Sequence, residues 1–295
     1  MLVTLRLLYS LNDTVTFGYK VTNINQSNLT LPLKSTMKII MKIIMKKLEN
    51  KVAIVTGASK GIGASIAKHF AAEGAKVVIN YASSKVDADK VVKSITDNGG
   101  VAIAVQGDVS KVADVLNLFD ETKNAFGSLD ILVNNAGIYL YEPIEQVSAE
   151  TFHRQFNINV LGSILAIQES LKLFGENGGN IINISSGASN TPLPTGSVYS
   201  ATKTALDAIT IALSKEFQGR NIRINSILPG VVETEGSQTA GFIGSEAETK
   251  LVATTPLGRT GQPDDIAKVA VFLASEDSAW ITGEKISVSG GLYGL

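Results

Sequence analysis

The stretch Val52-Ala-Ile-Val-Thr-Gly-Ala-Ser-Lys-Gly-Ile-Gly63 decides the fold. A short apolar run, Val52–Thr56, enters glycines at 57, 61 and 63, and an amphipathic segment, Gly61–Glu73, follows. A strand that turns through glycines into a helix opens a βαβ unit. Glycine there permits a tight turn and lets a pyrophosphate approach the backbone at a helix N-terminus. The spacing is Gly-x-x-x-Gly-x-Gly rather than the commoner G-x-G-x-x-G. Its position between strand and helix points to a dinucleotide, with Gly57, Ser59, Lys60, Gly61, Ile62 and Gly63 as candidate contacts.

The same alternation continues downstream. Further strands are expected at Lys76–Asn80, Ala102–Gln106, Ile131–Val133, Ile181–Ile184, Arg223–Ile227 and Lys285–Val288. Helices are expected at Val86–Asn98, Val112–Phe126, Ala149–Phe174, Val198–Phe217 and Asp264–Ala274. This pattern predicts an α/β fold: a single doubly wound, Rossmann-type domain with about seven parallel strands and helices on both faces. Ligands of such sheets bind beyond the carboxyl ends of the strands. Gly57, Asp108, Asn134, Ser186 and Pro229 all fall there. No repeat and no internal linker interrupts the pattern.

Composition narrows the function. The chain has 295 residues, of which 44% are hydrophobic and 18% charged, enough for one large core. A mean hydropathy of +0.19 suits a parallel sheet covered on both faces. The formal net charge of -1 gives no electrostatic case for nucleic acid or an anionic membrane. Cysteine is absent, which removes disulfides and thiol chemistry and leaves the redox compartment open. His69 and His153 stand far apart on predicted helices, so no metal site is expected.

Residues 1–47 differ from the rest and read as an N-terminal extension, disordered or a product of start-site choice, with the catalytic domain at 48–295. Met1–Leu11 is apolar but too short to span a membrane, and a Ser/Thr/Asn-rich stretch follows. Met-Lys-Ile-Ile then occurs twice, placing Lys38, Lys42 and Lys46 on one helical face. A transit peptide, a membrane-surface helix and translation starting at Met37, Met41 or Met45 all fit this pattern. The expected location is cytoplasmic.

Two further clusters carry chemistry. Tyr199 and Lys203 stand four apart and share a helix face. A cation near a phenol favours the phenolate and lowers its pKa toward the range of an acid/base catalyst. Ser186 ends the apolar run Ile181–Ser185, which places a neutral hydroxyl at the same sheet edge. Acid, cation and hydrogen-bond donor together suit proton transfer to a carbonyl oxygen. The second strand ends Asn80-Tyr81-Ala82-Ser83-Ser84, without the acid that NAD sites place against the ribose. With Lys60 in the glycine loop, and Tyr81 and Ser83 beside it, NADP(H) is expected over NAD(H). A solvated loop lysine is the competing account of Lys60.

Taken together, the chain resembles a short-chain dehydrogenase/reductase from about Leu48 to its C-terminus. The resemblance rests on Thr56-Gly57-x-x-x-Gly61-x-Gly63, Asp108-Val109, Asn134-Asn135-Ala136-Gly137, Asn159, Ser186, Tyr199-x-x-x-Lys203 and Pro229-Gly230. It implies that Tyr199 is the general acid in reduction, that Lys203 lowers its pKa and holds the nicotinamide ribose, and that Ser186 bonds the substrate oxygen. It also implies that Asn159 helps hold a proton-relaying water, that Asp108 and Val109 flank the adenine, and that Asn135, Ala136 and Gly137 line the cofactor cleft. Pro229, Gly230 and Thr234 would pack near the nicotinamide. The residues alone leave bland readings open: turn chemistry for Asn134–Gly137 and Pro229-Gly230, a brace for Asn159, and surface or capping roles for Asp207, Asp264 and Asp265.

Substrate is less legible. Val231–Pro256 reads as a lid, and Tyr139, Tyr141, Leu193 and Val198 as a mostly apolar lining, or as plain core. A small-molecule carbonyl or secondary alcohol is expected. The likeness extends to bacterial 3-oxoacyl-carrier-protein reductases and glucose 1-dehydrogenases. Reductases of the acidic carrier protein tend to carry a basic patch at the ends of two long helices. Here Arg220 and Arg223 follow one helix, but the other ends in Lys172 and Glu176, which counts against carrier docking. The family resemblance also implies a homotetramer through the two long helices, with Ala201, Ala205 and Ala208 permitting close approach and the C-terminal segment reaching a neighbour.

Overall fold

Val52 and Ile54 point into one apolar cluster, and Ala53 and Val55 into another. Residues that alternate between two buried faces belong to a strand covered on both sides. The computed structural model describes residues 4–8, 16–20, 46–239 and 241–293. The chain divides into two compact units, Met1–Met45 and Lys46–Leu295. In the first, strands Thr4–Leu8 and Thr16–Lys20 pair antiparallel, an arrangement with no counterpart in the sequence-based expectation. The basic face at Lys38 and Lys42 lies outside the described residues.

In the second unit, β1 (Val52–Val55), β2 (Lys76–Tyr81), β3 (Val101–Gln106), β4 (Ile131–Asn134), β5 (Gly179–Ile184), β6 (Ile222–Pro229) and β7 (Lys285–Val288) form one 7-stranded sheet. Its order is β3-β2-β1-β4-β5-β6-β7, and every pairing is parallel. The order reverses between β1 and β4, where a doubly wound sheet opens a crevice.

Helices α1 (Gly61–Ala72), α2 (Lys85–Asp97) and, later in the chain, α9 (Pro263–Ala274) cover one face. Their Ile66, Phe70, Val91, Ile95, Ile266 and Ala270 pack on Ala53, Val55, Val77 and Ile79. Across the sheet, α3 (Val112–Phe126), α5 (Gly162–Leu173) and α6 (Ser197–Glu216) cover Val52, Ile54, Val78, Leu132 and Ile181. A buried polar ladder crosses this side. Asn134 Nδ2 donates to Asn183 Oδ1 at 2.9 Å, Asn183 Nδ2 to Thr210 Oγ1 at 2.8 Å, and Thr210 meets the Ser226 hydroxyl at 2.8 Å. Slipping β4, β5, β6 or α6 by one residue would strand these groups without partners, so the ladder fixes register.

Two expectations differ in detail. The single helix expected over Ala149–Phe174 is α4 (Ala149–Phe156), a π-helical turn (Asn157–Leu161), then α5. The widened turn coincides with Asn159, whose side chain is held from outside the helix. The segment Val231–Pro256, expected to be a lid, contains α7 (Glu235–Thr239) and α8 (Glu246–Thr254), neither expected from sequence. α8 carried a readable signal: Ser245 Oγ accepts the Glu248 N–H at 3.2 Å, an N-cap.

Phe70 is fully buried between α1, α9 and the sheet. Phe70→Ala should cost about 3–5 kcal/mol of stability, read from the urea midpoint; a loss below about 1 kcal/mol would show that this layer is not the core.

Candidate active site

Thr56 ends β1 and clasps the end of β4. Its hydroxyl donates to the Val133 carbonyl at 3.2 Å and accepts the N–H groups of Asn135 at 2.9 Å and Ala136 at 3.0 Å. Asn135 answers, its amide donating to the carbonyls of Thr56 at 2.8 Å and Gly57 at 3.1 Å. Asn80, at the end of β2, accepts the Gly57 N–H at 3.2 Å and donates to the Gly107 carbonyl at 2.9 Å. Three strand ends are thereby tied around the glycine loop. Thr56 and Asn80 stood in the quoted motifs, but their role as supports was not anticipated; their position near strand ends was the available signal.

The glycines have distinct reasons. Gly57 has φ +60° and lies against Ala136, where a Cβ would come within 2.9 Å of Cα. At Gly63 a Cβ would strike the Asn135 amide and stand 2.8 Å from the Gly57 carbonyl. The start of α1 is therefore open backbone. Its Gly61 N–H donates to the Glu235 carboxylate at 3.0 Å, so an anion already sits at this helix terminus.

These residues line a cleft of about 780 Å³. Among the expected cofactor contacts, Gly57, Ser59, Lys60, Gly61, Ile62, Gly63, Tyr81, Ser83, Asp108, Val109, Asn135, Ala136, Gly137 and Thr234 all line it. Pro229, Gly230, Tyr199 and Lys203 do not. Gly230 donates to the Val288 carbonyl at 3.0 Å and its α-carbon lies against Ser289, so Pro229 and Gly230 close β6 against β7. Asp108 bonds the Ser110 backbone N–H at 3.0 Å and hydroxyl at 2.7 Å. An open glycine backbone, an anion-accepting N–H and a long cleft fit a dinucleotide.

Behind the cleft wall at Gly137 and Tyr139 lies the second cluster. Tyr199 on α6 is half-buried, and Ser186 is the side chain that counters the effect of burial on its phenol. Ser186 follows β5 and caps a short 3₁₀ turn, Gly187–Ser189, its Oγ accepting the Ala188 N–H at 3.1 Å. Lys203 is buried, its Nζ 5.8 Å from the Tyr199 ring centre and donating to the Ile184 carbonyl at 2.8 Å. A Cβ on Gly137 would lie 3.5 Å from this Nζ, so Lys203 sits behind the cleft wall. Tyr139, which lines the cleft, and Tyr141 stand 6.3 Å and 5.9 Å from the Tyr199 ring.

The expected electrostatics are partly reversed. Burial pushes the Tyr199 phenol up, against the effect of Ser186 and with the neighbouring phenols Tyr141, Tyr139 and Tyr293. Burial also pulls Lys203 down to about 8, opposed by Asp207. Desolvation penalises each charged form. The phenol is therefore held as an acid with its proton on, rather than lowered toward phenolate as its spacing from Lys203 implied.

Asn159 braces. Its amide donates to the Ile138 carbonyl at 2.8 Å and the Thr202 hydroxyl at 3.0 Å, and its oxygen accepts the Ile138 N–H at 2.8 Å. Both amide hydrogens and the oxygen have partners, as the bracing reading of the residue anticipated. Asp265 caps α9 as expected and pairs with Arg259 at 2.7 Å, which holds its carboxyl down at about 2. Asp264 accepts from the Ser65 hydroxyl at 2.7 Å. Asp207 is a correction: it is buried, not a surface residue.

The comparisons with known proteins agree with this geometry. A family model described as enoyl-(acyl carrier protein) reductase matches residues 57–293. An uncharacterized oxidoreductase of Methylorubrum extorquens is 57% identical over 246 residues, 83% of this chain and 99% of that protein. Among solved structures, a short chain dehydrogenase from Burkholderia cenocepacia in complex with NADP is 34% identical, with a TM-score of 0.78 over 84% of this chain and 100% of its own. The angucycline C-6 ketoreductase LanV with bound NADP is 36% identical, with a TM-score of 0.79 over 84% and 97%. With the sheet order, the glycine cradle and the Ser186–Tyr199–Lys203 cluster in place, the chain belongs to the short-chain dehydrogenase/reductase family of oxidoreductases, which bind a nicotinamide dinucleotide.

Proposed function

We propose that the protein is an NADP(H)-dependent reductase of small-molecule ketones, with 3-oxoacyl thioesters as the favoured class. The observation that carries this is the grouping of Tyr199 with the buried Lys203 Nζ 5.8 Å from its ring, directly behind the cleft wall at Gly137 and Tyr139. When bound, the reduced nicotinamide supplies hydride to the carbonyl carbon. Ser186 holds the carbonyl oxygen, and Tyr199 gives that oxygen its proton. Lys203 stabilises the phenolate left behind, a charge otherwise costly at a buried site. Asn159 holds Ile138 and Thr202, and so the cleft wall and α6, in place.

NADP(H) is favoured over NAD(H) by the pocket end at Lys60, Tyr81 and Ser83, where the strand terminus bears no carboxylate to repel a 2′-phosphate. The exposed rings of Tyr139 and Tyr141, with Leu193, favour an apolar flank on the substrate over the polyol face of glucose. A sugar or alcohol dehydrogenase is the alternative. Carrier-protein docking loses its basic residues. Arg223 turns inward, donating to Ser278 Oγ and the carbonyls of Leu273, Ser275 and Ile281. Arg220 lies over the Phe217 ring, and Lys172 pairs with Glu169.

The same proposal takes residues 48–295 as the catalytic domain, with residues 1–47 outside the chemistry; N-terminal sequencing and intact mass of the native protein test that boundary. It takes a cytoplasmic homotetramer, its assembly supported by the exposure of Ala201, Ala208 and Ile211 on α6, and a monomer by light scattering would remove it. Among the described residues no helix is long and apolar enough to cross a membrane.

Three outcomes are expected, using NADPH oxidation with acetoacetyl thioesters, simple ketones and, in reverse, glucose. Tyr199→Phe should lower kcat by about 10²–10⁴-fold with NADPH binding kept; retained turnover would remove Tyr199 as the acid. Lys60→Ala should raise KM for NADPH by about tenfold and leave NADH little changed; equal effects would refute the phosphate contact. Lys203 must carry its proton to stabilise the phenolate, and its pKa lies at about 8, so reduction should be fast below that pH and fall as pH rises through it. A profile flat well above pH 8 would contradict the assignment.

A further inference from the structure

Asp207 has no part in the chemistry above, yet its setting is unusual. It lies on α6 four residues after Lys203 and eight after Tyr199, on the same helical face, and is 3% exposed. Its Oδ2 accepts the Ser189 hydroxyl at 2.6 Å, and its Oδ1 has no hydrogen-bond partner. Lys285 Nζ, from β7, stands 4.0 Å away and itself donates to Asn190 Oδ1 at 2.8 Å.

Ser189 closes the turn that Ser186 caps. Its hydroxyl has one proton and two acceptors, the Asp207 carboxylate at 2.6 Å and the Ser186 carbonyl at 2.9 Å. That carbonyl already accepts the Ser189 backbone N–H at 3.0 Å, and the carboxylate offers the shorter, charge-assisted bond. The hydroxyl therefore bridges the Ser186 turn to α6. The Thr204 hydroxyl has the Ser200 carbonyl at 2.9 Å and the Ser189 carbonyl at 3.1 Å, so its one proton is shared between its own helix and the turn. We propose that Asp207 is a positioning residue for the reaction, holding the Ser186 turn in register with Tyr199 and Lys203 through Ser189.

A carboxylate buried with one oxygen unpartnered costs folding free energy. A neutral side chain could accept the same hydrogen bond without that cost. What the carboxylate adds is negative charge one helical turn from Lys203. The charged and titratable groups around it are few: Lys285 faces Asp207 from β7, Tyr199 and Asp207 flank Lys203 on α6, and Tyr139, Tyr141 and Tyr293 face Tyr199. Asp207 opposes the burial that pulls Lys203 toward neutrality, and so keeps the ammonium charged over more of the working pH range.

The proposal rests on the reductase reading, so its test includes a measurement that needs no substrate. Asp207→Asn, Asp207→Ala and Ser189→Ala are made in the full chain. The readouts are reduction of an acetoacetyl thioester by NADPH, the NADPH Kd from its fluorescence, and the Lys203 midpoint from carbon-13-labelled lysine, assigned with Lys203→Met. Ser189→Ala and Asp207→Ala should lower kcat by about three- to tenfold with the NADPH Kd unchanged. Asp207→Asn keeps an acceptor for Ser189. It should recover most of kcat at the low-pH plateau, yet shift the Lys203 midpoint and the falling limb of activity to lower pH. Wild-type kcat in Ser189→Ala, or an unmoved Lys203 midpoint in Asp207→Asn, overturns the proposal. A chain inactive on every ketone sinks the reductase reading, while the lysine titration still decides the role of Asp207.

Discussion

One hydrogen bond sets the geometry on which the site depends: the buried Lys203 ammonium donating to the Ile184 carbonyl at 2.8 Å. Ile184 ends β5, and Lys203 belongs to α6, so the bond ties the strand that delivers Ser186 to the helix that carries Tyr199. Taking an ammonium out of water costs several kcal/mol unless its hydrogens find partners. The fold meets part of that demand with the last carbonyl of a central strand. The Ser185 hydroxyl donates back to the Lys203 carbonyl at 3.3 Å. Helix and strand are stitched from both sides, and the relative position of phenol and serine follows.

The cofactor half obeys the same logic with neutral groups. Thr56, Asn80 and Asn135 each end a parallel strand, where backbone groups lose their ladder partners. Their side chains replace those partners and bind β1, β2 and β4 around the glycine loop. The first N–H groups of the loop, those of Gly57 and Ala58, are spent on Asn80, while the Gly61 N–H at the start of α1 turns outward to Glu235. Rigid support beneath and open backbone above is the combination that lets a turn bind an anion without first collapsing onto itself.

Much of this was legible in the sequence. All seven strands were expected within two residues of where they lie, because each is a short β-branched run between glycine-rich or polar turns. The Tyr199–Lys203 pairing followed from helical spacing. What was hidden involves partners distant in sequence. Asp207 was read as a surface or capping residue although its spacing placed it on the Tyr199–Lys203 face; only the fold brings Ser189 and Lys285 to it. Arg223 looked free because the carbonyls that engulf it lie 50 to 58 residues away. The direction of the Tyr199 shift depended on burial, which spacing does not report, and the short helices α7 and α8 were obscured by the glycines between them.

The contact between Glu235 and the Gly61 N–H carries a last consequence. A backbone N–H serves one acceptor well, so any phosphate that takes this one must evict the carboxylate. Glu235 begins α7, in the segment expected to be a lid. A phosphate taken up at this N–H would therefore be exchanged for an anion already there rather than simply added, and that anion is contributed by a residue distant in sequence from the glycine loop.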